Sequence, residues 1–207
     1  VPQMNPDGSE KNQRRNGNNM DLNRNHLILT EPETIGVHKL FNKYLFEVTM
    51  DVHEYAPYKP SAEKFGYRNN ADEEVGTNTN INVSENVLTM QKKVYMPYIE
   101  KYFEDRKFSY FEYSPGGPPE IDYIRHSTFD INDGRQSLGI QNTFSFIQEG
   151  LNGIDVFLDN IKLRAEGQMT GMRGLLEFAY ENKDEIKSLV KTEREKLVSN
   201  KVSDKVA

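Results

Sequence analysis

The sequence predicts an α/β fold in which a β-sheet is flanked by helices, and two observations support this. Short apolar runs rich in strand-forming residues occur at 45–52, 108–113 and 142–149. Between and after them lie segments whose apolar residues repeat at helical spacing. Strands that alternate with long helices are typical of an α/β sheet. At 207 residues, the chain suits a single domain over 1–207.

Composition excludes several classes of partner. The formal net charge is −6, whereas affinity for nucleic acid comes largely from clustered Lys and Arg that neutralise phosphates. No apolar run approaches the roughly 20 residues of a membrane-spanning helix. The chain has no cysteine, so any metal would have to be bound by histidines and carboxylates.

The first part of the chain is a long polar stretch at 5–26, which begins with an Asn-Pro-Asp-Gly turn. Thr30 is the predicted N-cap of a helix over about 31–43, and Glu33 would complete a capping box. The strand predicted at 45–52 is mostly apolar and ends at His53. We expect a polar loop from there to about residue 80.

The second part begins with a long helix that Ser84 can cap and that Pro97 should kink. Strands are then predicted at 108–113, which a Ser-Pro-Gly-Gly loop ends, and at 142–149, which Gly150 ends. The tail at about 171–198 should be one amphipathic helix. Its predicted apolar face comprises Met172, Leu175, Leu176, Ala179, Ile186, Leu189 and Val190.

Two titratable residues each follow an apolar strand directly, His53 in TMDVHEY and Glu149 in FSFIQEG. Ligands of open α/β sheets bind beyond the carboxyl ends of the strands, so both residues are candidates for a functional site. Taken alone, each has an ordinary structural explanation. A histidine at a strand end often serves as a hydrogen-bonded structural residue, and a glutamate there is often only solvated.

The polar run DLNRN strengthens the functional interpretation. Asn23 and Arg24 could clamp a carboxylate through an amide donor and the guanidinium fork, and Arg14 or Arg15 lies a few residues earlier. A histidine that binds metal, a carboxylate base and two arginines would suit hydrolysis of a peptide bond beside a free carboxylate.

Several motifs in their order resemble the zinc carboxypeptidases of the carboxypeptidase A type. These are PQMNPDG, RRNGNNMDLNRN, TEPET, MDVHEY, the Tyr-Ser-Pro-Gly-Gly loop and FSFIQEG. The resemblance covers residues 1 to about 150. It implies a mixed sheet flanked by helices, with this chain as the C-terminal part of a single catalytic domain that lacks its N-terminal portion.

The resemblance also implies roles for individual residues near the proposed reaction centre. His53 would be one zinc ligand, and Glu149 would be the general base and acid. Arg14, with Asn16 as the Asn of an R-x-N motif, would polarise the scissile carbonyl and stabilise the oxyanion.

Substrate binding would fall to residues on both sides of that centre. Asn23 and Arg24 match the pair that binds the terminal carboxylate of the substrate in this family. The mobile tyrosine of the family would be Tyr113, with Tyr110 as the alternative because the register differs by one residue.

The sequence departs from the family in its metal ligands. Two further zinc ligands of the family come from an H-x-x-E motif upstream of NPDG, and none of the four histidines here begins such a motif. Two explanations are open. Either the chain starts inside the domain, as its beginning at Val1 led us to expect, or it is a metal-free relative.

A second departure is the segment IDYIRHSTFDINDGRQSLGIQN, which is longer than in the digestive enzymes and should line the specificity pocket. Arg135 within it could face an acidic substrate side chain, or it could be an ordinary surface arginine.

The resemblance therefore implies a Zn²⁺-dependent metallocarboxypeptidase that is secreted or periplasmic and acts on peptides with a free C-terminal carboxylate. Two alternatives remain open. One is a metal-free protein that binds carboxylates without catalysis, and the other is a related amidase or murein-peptide hydrolase.

Overall fold

The computed structural model describes residues 3–56, 71–116, 125–152 and 160–199. Its helices are α1 (Pro6–Lys11), α2 (Pro32–Tyr44), α3 (Glu85–Met90), α4 (Met96–Glu104), α5 (Gly134–Gly139), α6 (Ile161–Glu181) and α7 (Lys183–Val198), with a 3₁₀ turn at Leu22–Arg24. Its strands are β1 (Val48–Tyr55), β2 (Glu73–Gly76), β3 (Tyr110–Glu112) and β4 (Phe144–Leu151).

These four strands form one mixed sheet in the order β1-β4-β2-β3. Strand β4 runs parallel to β1 and antiparallel to β2, and β2 runs parallel to β3. The predicted α/β class with a mixed sheet is therefore confirmed. None of the helices in the described ranges combines the length and hydropathy that a membrane span requires.

One face of the sheet carries the hydrophobic core. Phe144 and Phe146 of β4 and Val75 of β2 are fully buried there and pack against helices α3, α4, α6 and α7. The ring of Tyr95 lies 4.2 Å from that of Phe146, measured between centroids. Because each fully buried large apolar side chain contributes about 1.5–3 kcal/mol, this cluster accounts for much of the stability.

The start of α2 differs from the prediction. The N-cap is Glu31 without a side-chain capping bond, so the capping box of Thr30 and Glu33 is wrong. Thr30 accepts a hydrogen bond from the Asn25 side chain (2.7 Å), and Glu33 accepts one from Asn16 (3.2 Å). Both polar side chains are thus used to hold the preceding loop. The predicted turn after Asn5 is likewise the start of α1, which Asn5 caps through the Gly8 amide (2.9 Å).

Two strand boundaries shift by a few residues. Strand β1 continues to Tyr55 and β4 continues to Leu151, so His53 and Glu149 lie inside strands and not at their ends. Strand β1 is half-exposed, because it pairs with only one neighbour among the described residues. Gly150 does not stop β4, since a glycine in a ladder costs little where its backbone remains paired.

Strand β2 was missed by the sequence analysis, which expected a polar loop through about residue 80. All four of its positions are buried, although two of them are glutamates. Charged residues are rarely fully buried, so the pair Glu73-Glu74 indicated a loop.

The helical segments agree with the prediction in part. Ser84 caps α3 as expected, accepting a hydrogen bond from the Asn86 amide (3.3 Å). A π-helical segment at Gln91–Tyr95 separates α3 from α4 and lies just before Pro97, the site of the predicted kink. The tail is two helices divided at Asn182, and not one.

Helix α6 buries a face that matches the predicted one only in part. Leu175 and Phe178 are buried together with Gly167, Gly171 and Gly174, whereas Met172 and Leu176 are exposed. The glycines allow close approach to the sheet, because a Cβ on Gly171 would lie only 2.2 Å from Oε1 of Gln148.

Candidate active site

Strand register brings the two predicted titratable residues together on the face of the sheet opposite the core. His53 of β1 is the register partner of Glu149 of β4, and Glu149 is in turn the partner of Glu74 of β2. Side chains alternate between the faces of a strand, so register partners lie on the same face. His53, Glu149 and Glu74 therefore form a row across three adjacent strands.

Glu149 is a buried carboxyl group with an unused oxygen. Its side chain is 8% exposed, and Oε2 has no hydrogen-bond partner within the part of the chain that the structure describes. The pKa of Glu149 is raised to about 6, chiefly by burial; the charge of Asp51 acts in the same direction, and the charges of His53, Arg14 and Arg135 act against it. This carboxyl group therefore exchanges protons near neutral pH.

Glu74, the neighbour of Glu149, is also perturbed. Burial raises the pKa of Glu74 to about 7, and the negative charge of Glu149 acts in the same direction. The amide of Ser114 lies 3.5 Å from its Oε2, at the limit of a hydrogen bond. Two adjacent buried carboxyl groups disfavour double ionisation.

His53 is oriented by an aspartate two residues earlier on the same strand. Nε2 of His53 lies 2.9 Å from Oδ2 of Asp51 and 3.2 Å from Nδ2 of Asn23. The same nitrogen cannot donate to Asp51 and accept from Asn23. The charge-assisted bond to Asp51 is shorter and stronger, so we assign the Nε2 proton to it.

The pKa values of this pair agree with that assignment. Burial lowers the pKa of His53, but the charge and hydrogen bond of Asp51 outweigh it, so the pKa is raised overall. Burial raises the pKa of Asp51, and His53 outweighs it in the opposite direction. With Nε2 protonated, Nδ1 of His53 carries the free lone pair.

The polar loop of the DLNRN motif lies against this row. Asp21 accepts a hydrogen bond from the Asn23 amide (3.0 Å) and one from Nε of Arg14 (2.8 Å). The Asn23 side chain accepts from the Gly134 amide at the start of α5 (2.9 Å) while its Nδ2 contacts His53. One amide thus connects the loop, β1 and α5.

Both predicted arginines have exposed side chains. Arg14 is close enough to Glu149 and His53 to lower the pKa of both. Arg24 donates from Nη1 to the carbonyl of Asn23 (2.6 Å), and its charge lowers the pKa of Tyr113. Arg14 therefore acts on the carboxyl row, and Arg24 lies near Tyr113.

Asn16, the Asn of the R-x-N motif, is buried and serves the loop itself. Its Nδ2 donates to Glu31 (2.7 Å), and its Oδ1 accepts from the amides of Asn18 (3.1 Å) and Met20 (2.9 Å).

The two candidate tyrosines lie in different environments. Tyr113 is half-buried, and burial raises its pKa to about 12, with Glu149 acting in the same direction. Tyr110 stacks on Phe103 with ring centroids 5.7 Å apart and donates to the sulfur of Met96 (3.9 Å). Tyr113 is therefore the one near the carboxyl row, and Tyr110 belongs to the core.

Arg135 is buried, so its interpretation as a surface arginine is wrong. It is 3% exposed, lies 5.3 Å from the ring centroid of Tyr113, and donates to Oγ of Ser127 (2.9 Å). Its nearest carboxylate oxygen, Oδ2 of Asp133, is 3.6 Å away, and its Nε has no partner within the described residues.

Sequence reasoning missed Asp51 and Glu74 as members of this cluster. The pattern Asp-Val-His places Asp51 and His53 on one face of a strand, which could have indicated the first. Glu74 could not be found, because its strand was not recognised.

The described residues do not form a complete metal site. No group of three or more His, Cys, Asp or Glu side chains in the described ranges is arranged to bind a metal ion. A catalytic zinc needs three protein ligands, and His53 could supply only one, through Nδ1. The donor set described here is therefore too small to hold zinc alone.

Known proteins similar to this chain were found by sequence and by structure, although no family model matches it. "Carboxypeptidase 2" of Trichophyton rubrum is 25% identical over 188 residues, and that of Trichophyton equinum is 24% identical over 188 residues. Each match covers 90% of this chain and 35% of the relative, so the chain spans about a third of their length.

A solved structure shares the fold. The metallo-carboxypeptidase from Pseudomonas aeruginosa in complex with (2-guanidinoethylmercapto)succinic acid has a TM-score of 0.60 and 18% identity, and the match covers 90% of this chain and 46% of that one. The sequence relatives, the carboxypeptidase A-like fold and the ordered motifs agree, and in all three respects this chain is similar to zinc carboxypeptidases.

Proposed function

We propose that this chain carries the general-base and substrate-carboxylate half of a metallocarboxypeptidase active site, which removes the C-terminal amino acid from a peptide. The observation that carries the proposal is the register of His53 with Glu149, with Arg14 and Arg24 on the adjoining loop. The relatives support a peptidase by their names, and they are longer than this chain.

Glu149 suits the role of general base. A base works best when its pKa lies near the working pH, and burial raises the pKa of Glu149 to about 6. Its unpartnered Oε2 can accept a proton from a water molecule and return it to the leaving amine. The charges of His53 and Arg14 keep enough of the ionised form present near neutral pH.

The two arginines would bind different negative charges of the substrate. Arg24 is exposed and can bind the terminal carboxylate, and Asn23 beside it has a further amide hydrogen. Arg14 lies nearer Glu149, where negative charge develops on the carbonyl oxygen in the transition state. Arg14 donates a hydrogen bond to Asp21 in the structure, so it must break or share that bond to reach the carbonyl oxygen.

His53 would be one of the zinc ligands, through Nδ1. Zinc in such a site lowers the pKa of its bound water to about 7. Two more ligands would have to come from residues outside those described. We place the protein in the secreted or periplasmic space, with a peptide that has a free C-terminal carboxylate as its partner.

The proposal is tested by two matched substitutions, Glu149→Gln and Glu74→Gln. Both remove a buried carboxyl group, and the two residues are register partners on neighbouring strands. Glu149→Gln should lower kcat by about 10²–10⁴-fold, the usual contribution of a general base. Glu74→Gln should retain most activity. Equal losses in both variants, or full activity of Glu149→Gln, would contradict the proposed role.

The substrate class is tested with a peptide in two forms, one with a free C-terminal carboxylate and one amidated. Cleavage should require the free carboxylate, and Arg24→Ala should raise KM for that form more than it lowers kcat. Zinc content by mass spectrometry should fall in His53→Ala.

A metal-free carboxylate-binding protein is the second candidate, and the small donor set among the described residues favours it. It predicts that the free-carboxylate peptide binds without being cut, that Arg24→Ala weakens this binding, and that purified protein contains no zinc.

The position of Arg135 suggests a substrate preference. A buried guanidinium with an unpartnered Nε, beside Tyr113, could pair with an acidic terminal side chain. Peptides ending in Asp or Glu should then be cut faster than those ending in Ala. Arg135→Ala should abolish the difference, and unchanged selectivity would remove this role.

A further inference from the structure

Helix α6 exposes a continuous apolar stripe on the side that faces away from the sheet. Six of its large apolar residues are exposed, and five of them, including Leu176 at 69% and Tyr180 at 71%, lie on this side. The full stripe, with the exposed small residue between them, is Ile161, Ala165, Met169, Met172, Leu176 and Tyr180. Surface apolar residues scattered singly are normal, but a contiguous set marks a contact surface.

The spacing of these residues keeps them on one side of the helix. Successive members lie three or four residues apart, so at 3.6 residues per turn they fall within about 100° of arc. The opposite side of α6 is occupied by Gly167, Gly171 and Phe178, which face the sheet and α4. Helix α6 therefore has two apolar sides, and the protein itself covers one of them.

The stripe is complementary to itself when two copies of α6 lie antiparallel. Ile161 then faces Tyr180 of the second copy, Ala165 faces Leu176, and Met169 faces Met172. All three pairs share one centre, between Thr170 and Gly171, as a two-fold axis requires. The two outer pairs place a smaller residue against a larger one and the central pair joins two flexible methionines, so the helices can approach closely along the roughly 30 Å of α6.

Charges beside the stripe match in the same arrangement. Glu166 and Arg173 are exposed beside the stripe. In the antiparallel pair, Glu166 of one copy faces Arg173 of the other. The midpoint of this pair along the helix lies one residue from the midpoint of the apolar pairs. Lys162 and Glu177 share that second midpoint. Charged residues that flank the apolar seam of a helix pair form salt bridges between the two helices, and these determine which helices pair and in which direction. This flank is electrically balanced, although the chain carries −6, so it does not repel a second copy.

We propose that α6 is a homodimer interface, with the α6 helices of two copies packed antiparallel about a two-fold axis near Thr170. The apolar stripe supplies the affinity. The Glu166–Arg173 pairs, of which the dimer has two, fix the antiparallel direction.

Sedimentation velocity on the 207-residue chain tests this, since a dimer has twice the 24.0 kDa mass. We expect concentration-dependent dimers. Leu176→Lys should leave only monomer. Circular dichroism should show each variant folded, because Leu176 is exposed and makes no core contact.

Charge reversal tests the direction of packing. Glu166→Arg places two like-charge pairs in the dimer and should weaken dimerisation about tenfold, whereas adding Arg173→Glu should restore it. Glu166 also pairs with Lys162 within α6 (3.7 Å), and Glu195 of α7 forms a similar exposed pair with Lys191 (3.9 Å). Glu195→Arg is therefore the matched control and should leave dimerisation unchanged.

Four results would overturn the proposal. The chain could stay monomeric at millimolar concentration. A dimer could be insensitive to Leu176→Lys, or the double reversal could fail to restore what Glu166→Arg removes. A monomeric full-length gene product, alongside a dimeric 207-residue chain, would instead assign the stripe to a contact within one molecule.

Discussion

The two faces of the sheet use the same strands for opposite purposes. On the core face, Phe146 and Val75 are fully buried and satisfied by apolar packing. On the other face, Glu149 and Glu74 are buried next to each other, and one carboxyl oxygen of Glu149 has no partner within the described ranges. Alternation along β4 thus separates a face that stabilises the fold from one that costs stability and carries the proposed active site.

The largest effect is expected on the core face. Phe146→Ala removes a fully buried ring packed on Tyr95 and Phe144. The free energy of unfolding should fall by about 3–5 kcal/mol, from lost transfer energy and the cavity left behind. Urea denaturation followed by circular dichroism measures it. A loss under 1 kcal/mol would mean that β4 does not organise the core.

The second effect tests the close approach of α6 to the same face. A methyl group on Gly171 would collide with Oε1 of Gln148, whose amide is held by Glu73 (2.8 Å) and by the carbonyl of Gln168 (3.2 Å). Gly171→Ala should therefore lower the free energy of unfolding by about 1–3 kcal/mol. An unchanged denaturation midpoint would show that Gln148 can move aside.

The third effect comes from the site face and depends on pH. Folding raises the pKa of Glu149 from its ordinary value of 4.5 to about 6. The unfolded chain then releases the proton first, so stability falls as pH rises from about 4.5 through about 6. The free energy of unfolding falls by about 2 kcal/mol in total over this pH range.

Glu149→Gln removes this contribution. Its free energy of unfolding, measured at pH 4 and pH 7, should fall less across that interval than that of the parent chain. At pH 7 the variant should be at least as stable as the parent while losing activity. A variant that is less stable at pH 7 would show that Glu149 has a structural role like that of Phe146.

The smallest effect is a control for the second prediction. Gly36 lies inside helix α2 with open space where a Cβ would be, in contrast to Gly171. Gly36→Ala should raise the free energy of unfolding by about 0.5–1 kcal/mol, because alanine restricts the unfolded chain and favours a helix. Destabilisation here would mean that α2 contacts something outside the described residues.

Sequence predicted the elements whose patterns are local. The cap at Ser84 and the apolar alternation of β4 follow from residues that are neighbours in the chain, and the motifs around His53 and Glu149 resemble those of the carboxypeptidases that the comparisons found. The predicted ends of two strands were wrong by a few residues, because backbone pairing between β1 and β4 extends both strands beyond their apolar runs.

Features that depend on tertiary contacts could not be predicted. Glu73 can be buried because Gln148 of β4 donates a hydrogen bond to it. No residue near Glu73 in the sequence indicates this contact. Helix α6 buries its glycines because the sheet is close, whereas helical spacing favoured Met172 and Leu176. The proximity of Arg14 to Glu149 likewise arises only when the loop folds back over the strands.

The side chain of Asn23 has a consequence for how such a protein could change over time. It contacts His53 with one end and the first turn of α5, which carries Arg135, with the other. A substitution that moves α5 to admit a new substrate would therefore pull on the imidazole of His53. Under the roles proposed above for Arg135 and His53, selectivity and reactivity would therefore depend on the same Asn23 amide.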